Sequence, residues 1–578
     1  MKKLITIISA LFCLNTTIMA QTETITLHVI ETSDVHGSFF PFDFISQKPV
    51  DGSMARVSTY VNELREKYGN NVILLDNGDI LQGQTISYYS NYIDSLSPNI
   101  ASEVLNYLRY DAATVGNHDI ETGHAVYDKW IRELGCPALG ANIIDSSTEK
   151  PYVKPYTIIR RNGIKIAVLG LLTPAIPNWL KEELWKGLQF KELLSTARYW
   201  MNEIREQERP DIVIGLFHSG WYGGIQTDSY MEDASMKIAK DIPGFDLVLF
   251  GHDHTPHNST ILNEENKPVV CLNPANNAKA VAKATVTLTL KDGKVIDKNV
   301  TGEIVDVRQL PVNEKFITYF SPQINKVKDF SVQQIGTLEQ GFCSRDAYFG
   351  SSAFIDFIQN LQLLITKADI SLHAPLAFDV CIDKGPITIA DMFKLYKYEN
   401  QLMVMRMTGQ EIKNHLEMSY DLWVNTMTSP DDHLIQLDDS KKSDTQRVGF
   451  KNLPFNFDSA AGIVYEVDVT KPYGQKVRIL HMADGKPFSE SKWYRVAVNS
   501  YRGNGGGELM TKGAGIPHDA LKDRVVWESE LDLRHYLIKE IERLKYLNPR
   551  ANNNWRFVPS DWVNKAAVRD RELLFGTR

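Results

Sequence analysis

Gly116-Asn117-His118-Asp119-Ile120-Glu121 follows Asp111-Ala112-Ala113-Thr114-Val115, an apolar-rich run that reads as a short buried strand. Four other segments end the same way. Leu27-His28-Val29-Ile30 runs into Asp34 and His36, and Val72-Ile73-Leu74-Leu75 into Asp76, Gly78 and Asp79. Ile212-Val213-Ile214-Gly215-Leu216-Phe217 runs into His218, and Leu247-Val248-Leu249-Phe250 into Gly251, His252, Asp253 and His254. Each is an apolar, β-branched run that stops at carboxylate, imidazole or carboxamide side chains. Strands of an open α/β sheet bring their carboxyl ends to one crevice, where ligands bind. The pattern predicts one site assembled from residues far apart in the chain, and the donor types make it a metal site.

Two divalent ions need about seven protein ligands, with a carboxylate between them. Asp34, His36, Asp79, Asn117, His218, His252 and His254 supply that set. The mixture of imidazole and carboxylate suits zinc, manganese, iron or cobalt better than calcium. Two such ions ~3.5–4 Å apart can clamp the oxygens of an in-line displacement at phosphorus. Asn117, as a neutral ligand, limits the negative charge facing a phosphate. Taken singly, each motif has a plainer reading: D-x-H as a turn with a surface histidine, G-D as a turn, H-x-H as exposed polarity. Five in order, each at a strand end, favour the metal.

The 578 residues exceed what one core usually holds, so two or more domains are expected. The composition is globular, with 43% hydrophobic and 23% charged residues. A net charge of -8 argues against binding a nucleic-acid polymer, but not against a small anion, because bound metal inverts the local field. Met1-Lys2-Lys3, an apolar run from Leu4 to Leu14, and Thr16-Thr17-Ile18-Met19-Ala20 follow the order of a secretory signal cut after Ala20. The apolar run is too short to span a bilayer, and no later stretch is long enough. A periplasmic or secreted, monomeric protein without membrane insertion is expected. Cys136, Cys271, Cys343 and Cys381 form no C-x-x-C pair, so a cysteine zinc site is not expected; buried free thiols, with room for one bridge, are.

Strands alternate with amphipathic helices up to about 310, including a helix from Met54 to Lys67 and another from Thr196 to Gln207. Phe316, Phe320, Ile324 and Val327 recur at helical spacing and predict a linker helix within 311–340. From 341 to 578 the pattern gives helices at Ala353–Thr366 and Ile387–Tyr398, and strands at Ile463–Val469, Lys476–His481 and Trp493–Val498. Thr426 to Arg447 is polar and aperiodic, hence a surface loop. The tail after Asn548 carries Trp555, Phe557 and Trp562 and should pack on the body. The expected layout is a signal segment over 1–20, a catalytic domain over 21–310, the linker, and a substrate domain over 341–578.

D-x-H, G-D, G-N-H-[DE], a lone histidine and G-H-x-H together resemble the calcineurin-like metallophosphoesterases. The resemblance implies an α/β (α+β) chain: a four-layer α/β/β/α catalytic domain followed by an α/β substrate domain of the 5'-nucleotidase type. It implies that Asp34, His36, Asp79 and His254 hold one ion and Asp79, Asn117, His218 and His252 the other, with Asp79 bridging. It makes His118 the group that faces the scissile phosphate, oriented by Glu121, where related nucleotidases more often have Asp.

The second domain must choose the substrate. Asn456-Phe457-Asp458-Ser459 precedes a strand and Asn499-Ser500-Tyr501-Arg502-Gly503 follows one. A planar base could lie between the Phe457 and Tyr501 rings, worth ~1–3 kcal/mol per stacked ring; the plainer alternative is that both rings are core. Leu395-Tyr396-Lys397-Tyr398-Glu399-Asn400, Tyr465-Glu466-Val467-Asp468-Val469 and Asn499-Ser500-Tyr501-Arg502 look like the periplasmic 2',3'-cyclic-nucleotide 2'-phosphodiesterase/3'-nucleotidase branch. That likeness implies a base-stacking role for Phe457 and Tyr501, with Arg502 beside them, on a small nucleotide substrate. Ser371-Leu372-His373-Ala374-Pro375-Leu376 lacks the arginine that 5'-nucleotidases carry there. A 5'-nucleotidase or UDP-sugar hydrolase, and a nucleotide-binding protein without turnover, are the alternatives.

Overall fold

A computed structural model describes residues 22–441 and 448–576. The expected signal segment, 1–20, lies outside the described residues, as does part of the 426–447 loop. Two six-stranded sheets build the first half of the chain. The first runs in the order Lys294–Asp306, Ala280–Lys291, Thr22–Thr32, Val72–Asp76, Ala112–Thr114, Ala138–Leu139. The second runs His257–Leu262, Pro268–Asn273, Leu247–Phe250, Ile212–His218, Ile164–Leu172, Tyr156–Arg161. The five site-bearing strands are parallel to their inner neighbours, and Val72–Asp76 and Ile212–His218 are buried throughout, as inner parallel strands are.

Side-chain alternation sorts these strands into four layers. Leu27, Val29, Ile73 and Leu75 of the first sheet meet Val168, Ile214, Leu216 and Leu249 of the second in one core. On the outer face of the first sheet, Ile30 and Leu74 pack under the helices Met54–Tyr68 and Ile100–Leu108. On the outer face of the second, Val213, Phe217 and Phe250 pack under Leu193–Glu203 and Ser235–Asp241. The expected linker helix spans Glu314–Ser331, and its Phe316, Phe320, Ile324 and Val327 are buried in the first sheet's outer core.

The second half is built on a five-stranded sheet, Ser459–Ala461, Ile370–His373, Trp493–Asn499, Gln401–Thr408, Val525–Asp532, with helices at Ala353–Thr366 and Gly409–Trp423. Two expectations change. The helix expected over Ile387–Tyr398 is Ile389–Leu395, because Gly385–Thr388 pairs as a strand with Gln334–Leu338. The 426–447 loop carries Met427, Leu434 and Ile435 into the core, so its described part is not a surface loop throughout. Cys343 and Cys381 form a disulfide joining two short paired strands, while Cys136 and Cys271 are free. The tail packs as expected: Trp555–Val558 pairs with Ile463–Asp468, and the helix Ser560–Phe575 follows.

Candidate metal centre and substrate cleft

The turns that leave the strands are strained in the same way. Asp34, His36, Asp79, His252 and His254 all have positive φ (51°, 48°, 55°, 76° and 54°). Such backbone costs on the order of 1 kcal/mol or more per residue and gathers at functional sites. The motif glycines give these turns room. A Cβ at Gly78 would stand 2.6 Å from the Gly116 nitrogen, one at Gly251 2.6 Å from Asp34 Oδ2, and one at Gly116 would collide with the Asp79 carboxylate. Asp119 ties two of the turns together, accepting the N–H groups of Asp79, Ile80 and Leu81 at 2.9 Å each and of Gly116 at 2.7 Å. Asn77 ties the two sheets: its Nδ2 donates to the Phe217 carbonyl at 3.0 Å, and its own carbonyl lies 2.6 Å from His218 Nδ1.

All seven expected ligands meet at this junction in two adjoining groups. Ligand atoms of Asp34, His36 and His254 lie within 4.8 Å of one another, as do those of Asp79, His218 and His252. His36 Nε2 is 3.0 Å from His254 Nε2, which is 3.3 Å from Asp34 Oδ1. His218 Nε2 is 3.0 Å from Asn117 Oδ1 and 3.2 Å from Asp79 Oδ2. Burial raises the cost of charge on Asp34, yet the hydrogen bond from His254 and the nearby His218 bring it down to about 2. Burial likewise opposes charge on His218, and the Asp79 carboxylate overrides it, raising the ring to about 10. Burial holds His36 near 4, a neutral donor. Buried carboxylates, imidazole and carboxamide aimed at common points are a donor set that fits divalent metal ions.

His118 stands beside this junction with its Nδ1 2.5 Å from Glu121 Oε2 and its backbone N–H donating to Asp79 Oδ1 at 2.8 Å. Burial disfavours a charged ring there, but Asp79 and Glu121 outweigh it and raise His118 to about 9. Both side chains line a cleft of about 280 Å³, closed on the other side by Tyr398, Asn400, Phe455 and Tyr501 of the second half. No lysine or arginine lines the cleft among the described residues.

Two expected substrate residues are corrected here. Phe457 is fully buried and stacks on Trp423 at 5.3 Å and 5°, inside the second core. The ring that reaches the cleft is Phe455, two residues earlier, edge to face with Tyr501 at 6.0 Å and 86°. Arg502 is 3% exposed and does not line the cleft; its guanidinium lies behind Tyr501, 5.5 Å from the ring centroid. Its Nε and Nη2 bind Asp458 at 2.8 and 3.0 Å, Nη2 also donates to the Phe455 carbonyl at 2.8 Å, and Nη1 donates to Asn456 Oδ1 and the Gly506 carbonyl at 3.2 and 2.5 Å. With its donors spent on the loop, Arg502 holds Phe455 in place rather than binding a ligand.

Sequence reasoning passed over Trp179, Asp119, Glu232 and Phe455. Trp179 comes after the strand Ile164–Leu172 and closes the short turn Ile176–Asn178, so no strand-end pattern marks it. Asp119, three residues after Gly116, has the spacing of a helix-start carboxylate. Nothing local separates Phe455 from Phe457; only the register of the turn decides which ring points out.

The profile of the calcineurin-like phosphoesterase family matches residues 27–256, and that of the 5'-nucleotidase C-terminal domain matches 334–513. The chain is 26% identical to the 2',3'-cyclic-nucleotide 2'-phosphodiesterase/3'-nucleotidase of Haemophilus influenzae over 94% of its own length and 89% of that protein's. It is 27% identical to the trifunctional nucleotide phosphoesterase protein YfkN of Bacillus subtilis over 93% of its length, and spans 39% of that longer protein. Among solved structures, the 5'-nucleotidase precursor of Thermus thermophilus superposes with a TM-score of 0.62 at 20% identity, covering 93% of this chain and 100% of that one.

Proposed function

The chain belongs to the calcineurin-like phosphoesterases that carry a 5'-nucleotidase C-terminal domain, and from that premise we propose that it hydrolyses 2',3'-cyclic nucleotides to 3'-nucleotides, and these to nucleoside and phosphate, outside the cytoplasm. The observation that carries the reading is the meeting of two donor clusters and His118 with an aromatic wall in one cleft that no lysine or arginine lines among the described residues. An anionic phosphate there meets the charged His118 ring and depends on bound cations for the rest of its neutralisation. Asp34, His36, Asp79 and His254 would hold one ion, and Asp79, Asn117, His218 and His252 a second. Divalent ions so held supply Lewis-acid neutralisation of charge on the phosphoryl oxygens and lower the pKa of water at neutral pH.

The chain's own side chains do the rest. Glu121 fixes the His118 ring through Nδ1 and leaves Nε2 to give a proton to the departing ribose oxygen. Phe455 and Tyr501 offer ring surface to the base, and because they stand edge to face, one must turn for the base to enter between them. Leu376, in the segment that lacks the arginine of 5'-nucleotidases, presents an apolar wall. No described helix is long and apolar enough to cross a membrane, and the Cys343–Cys381 disulfide suits an oxidising compartment.

The test is phosphate and nucleoside release from the purified protein with manganese, using 2',3'-cyclic AMP, 3'-AMP, 5'-AMP and UDP-glucose in parallel with a chelator control. Chelator-sensitive turnover of the first two in preference to the others is expected. Preference for 5'-AMP or UDP-glucose would move the chain to the 5'-nucleotidase reading.

A further inference from the structure

The four imidazoles of the proposed metal centre are not held alike. Three turn Nδ1 outward to neutral groups: His36 to the Gln82 carbonyl at 3.2 Å, His218 to the Asn77 carbonyl at 2.6 Å, and His254 to the Asn276 carboxamide at 2.9 Å. His252 turns Nε2 outward instead, and its partner is a carboxylate, Glu232 Oε1, at 2.9 Å. Asp233 Oδ1 stands 3.8 Å from the same nitrogen. Trp179 lies against the ring at 5.7 Å, tilted by 37°.

Glu232 is itself held. Its Oε2 accepts the Ile225 N–H at 2.6 Å, and its backbone carbonyl accepts from Ser219 Oγ at 2.9 Å, in the turn that follows His218. Glycine makes room for it. A Cβ at Gly224, where φ is +62°, would stand 2.5 Å from Glu232 Oε2, and one at Gly220 2.7 Å from Asp233 Oδ1. The hairpin of Gly223–Gln226 and Met231–Asp233 thus delivers a carboxylate to one ring nitrogen. Glu232 does not belong to the seven-ligand set, and the mechanism above does not use it.

An imidazole that ligates a metal commonly donates its other N–H to a carboxylate, which fixes the ring and makes it a stronger donor. We propose that Glu232 is a positioning residue: it accepts the His252 Nε2–H and so presents Nδ1 to the cation shared with Asp79, Asn117 and His218. The inference rests on the two-cation reading above. It also makes the two cation sites unequal, since among the described residues only this one has a charged group behind an imidazole ligand.

The test is an equilibrium titration of metal-stripped full-length protein with Mn²⁺, counting free ion by electron paramagnetic resonance. Wild type should bind two ions. Glu232→Ala should keep one at wild-type affinity and weaken the other ~10–100-fold. Glu232→Gln keeps an acceptor for Nε2–H and should fall between, and it carries the test if the alanine variant does not fold. Unchanged affinity for both ions in Glu232→Ala, or equal weakening of both, would overturn the positioning role. Wild type that binds fewer than two ions would remove the two-cation reading, and the inference with it.

Discussion

In the proposed mechanism His118 is the acid, and two neighbours suit it to that role. Burial alone would strip its proton, but Asp79 and Glu121 hold the ring charged through neutral pH. His118→Asn should therefore lower kcat by ~10²–10⁴-fold while Mn²⁺ titration shows both ions still bound; a kcat within a few-fold of wild type would deny the ring its role. A second pair of substitutions tests the exchange of Phe457 for Phe455. Phe455→Ala removes ring surface worth ~1–3 kcal/mol to a base, so KM for nucleotides should rise while turnover of a small artificial phosphodiester stays. Phe457→Ala leaves a cavity against Trp423 and should cost ~3–5 kcal/mol of stability, read by chemical unfolding, with no selective effect on KM. At this scale the seven ligand candidates were legible because their donor atoms and the glycines beside them are themselves the requirement. Phe455 and Glu232 were not, because each depends on where a turn points.

Among elements, the strand Ile370–His373 carries a titratable group into the second core. His373 is 1% exposed, takes a hydrogen bond at Nδ1 from the Gln362 amide at 3.3 Å, and stacks on Tyr396 at 5.5 Å. Burial depresses its pKa from 6.5 to about 4. Between those values the unfolded chain binds a proton that the folded chain refuses. The stability His373 confers is thus whole above pH ~6.5 and drains away as pH falls toward 4. Going from pH 7.5 to 5.0, wild type should lose about 2 kcal/mol more unfolding free energy than His373→Gln; equal losses would mean that the ring is not held neutral. Elements with a strong period were legible: Ala353–Thr366 and Leu247–Phe250 lie where the pattern puts them. The helix expected from Ile387 was not, because an apolar residue serves a strand and a helix start equally and the Gln334–Leu338 partner decides.

The whole molecule sets the two halves against each other across the cleft. Asn504 Nδ2 donates to the Trp179 carbonyl at 3.4 Å, Lys181 lies 3.7 Å from Glu528, Lys522 pairs with Glu182, and Tyr88 meets Phe393 edge to face at 5.3 Å. The ion pairs lie near the surface and each contributes little. Cations bound only to the folded state should matter more: at a hundredfold excess over Kd one ion adds ~2.7 kcal/mol. Saturating Mn²⁺ should raise the thermal midpoint and a chelator reverse it, as scanning calorimetry would record. A midpoint indifferent to both would show that no ion is held by the folded chain. At this scale the sequence showed that five strand ends share a crevice, but not that two sheets supply them. Strand spacing carries no partner information, and the four-layer arrangement came from family resemblance alone. The linker helix buries Phe316 and Phe320 against Phe40 of the first half, so we place the boundary between the domains after Ser331.

The central claim is that residues from both sheets form one two-cation centre, and anomalous diffraction at the manganese edge from crystals grown with Mn²⁺ tests it most directly. Two peaks are predicted, one among Asp34, His36, Asp79 and His254, the other among Asp79, Asn117, His218 and His252. A single peak, or one seated between Glu232 and Asp233 without contact to Asp79, would contradict it.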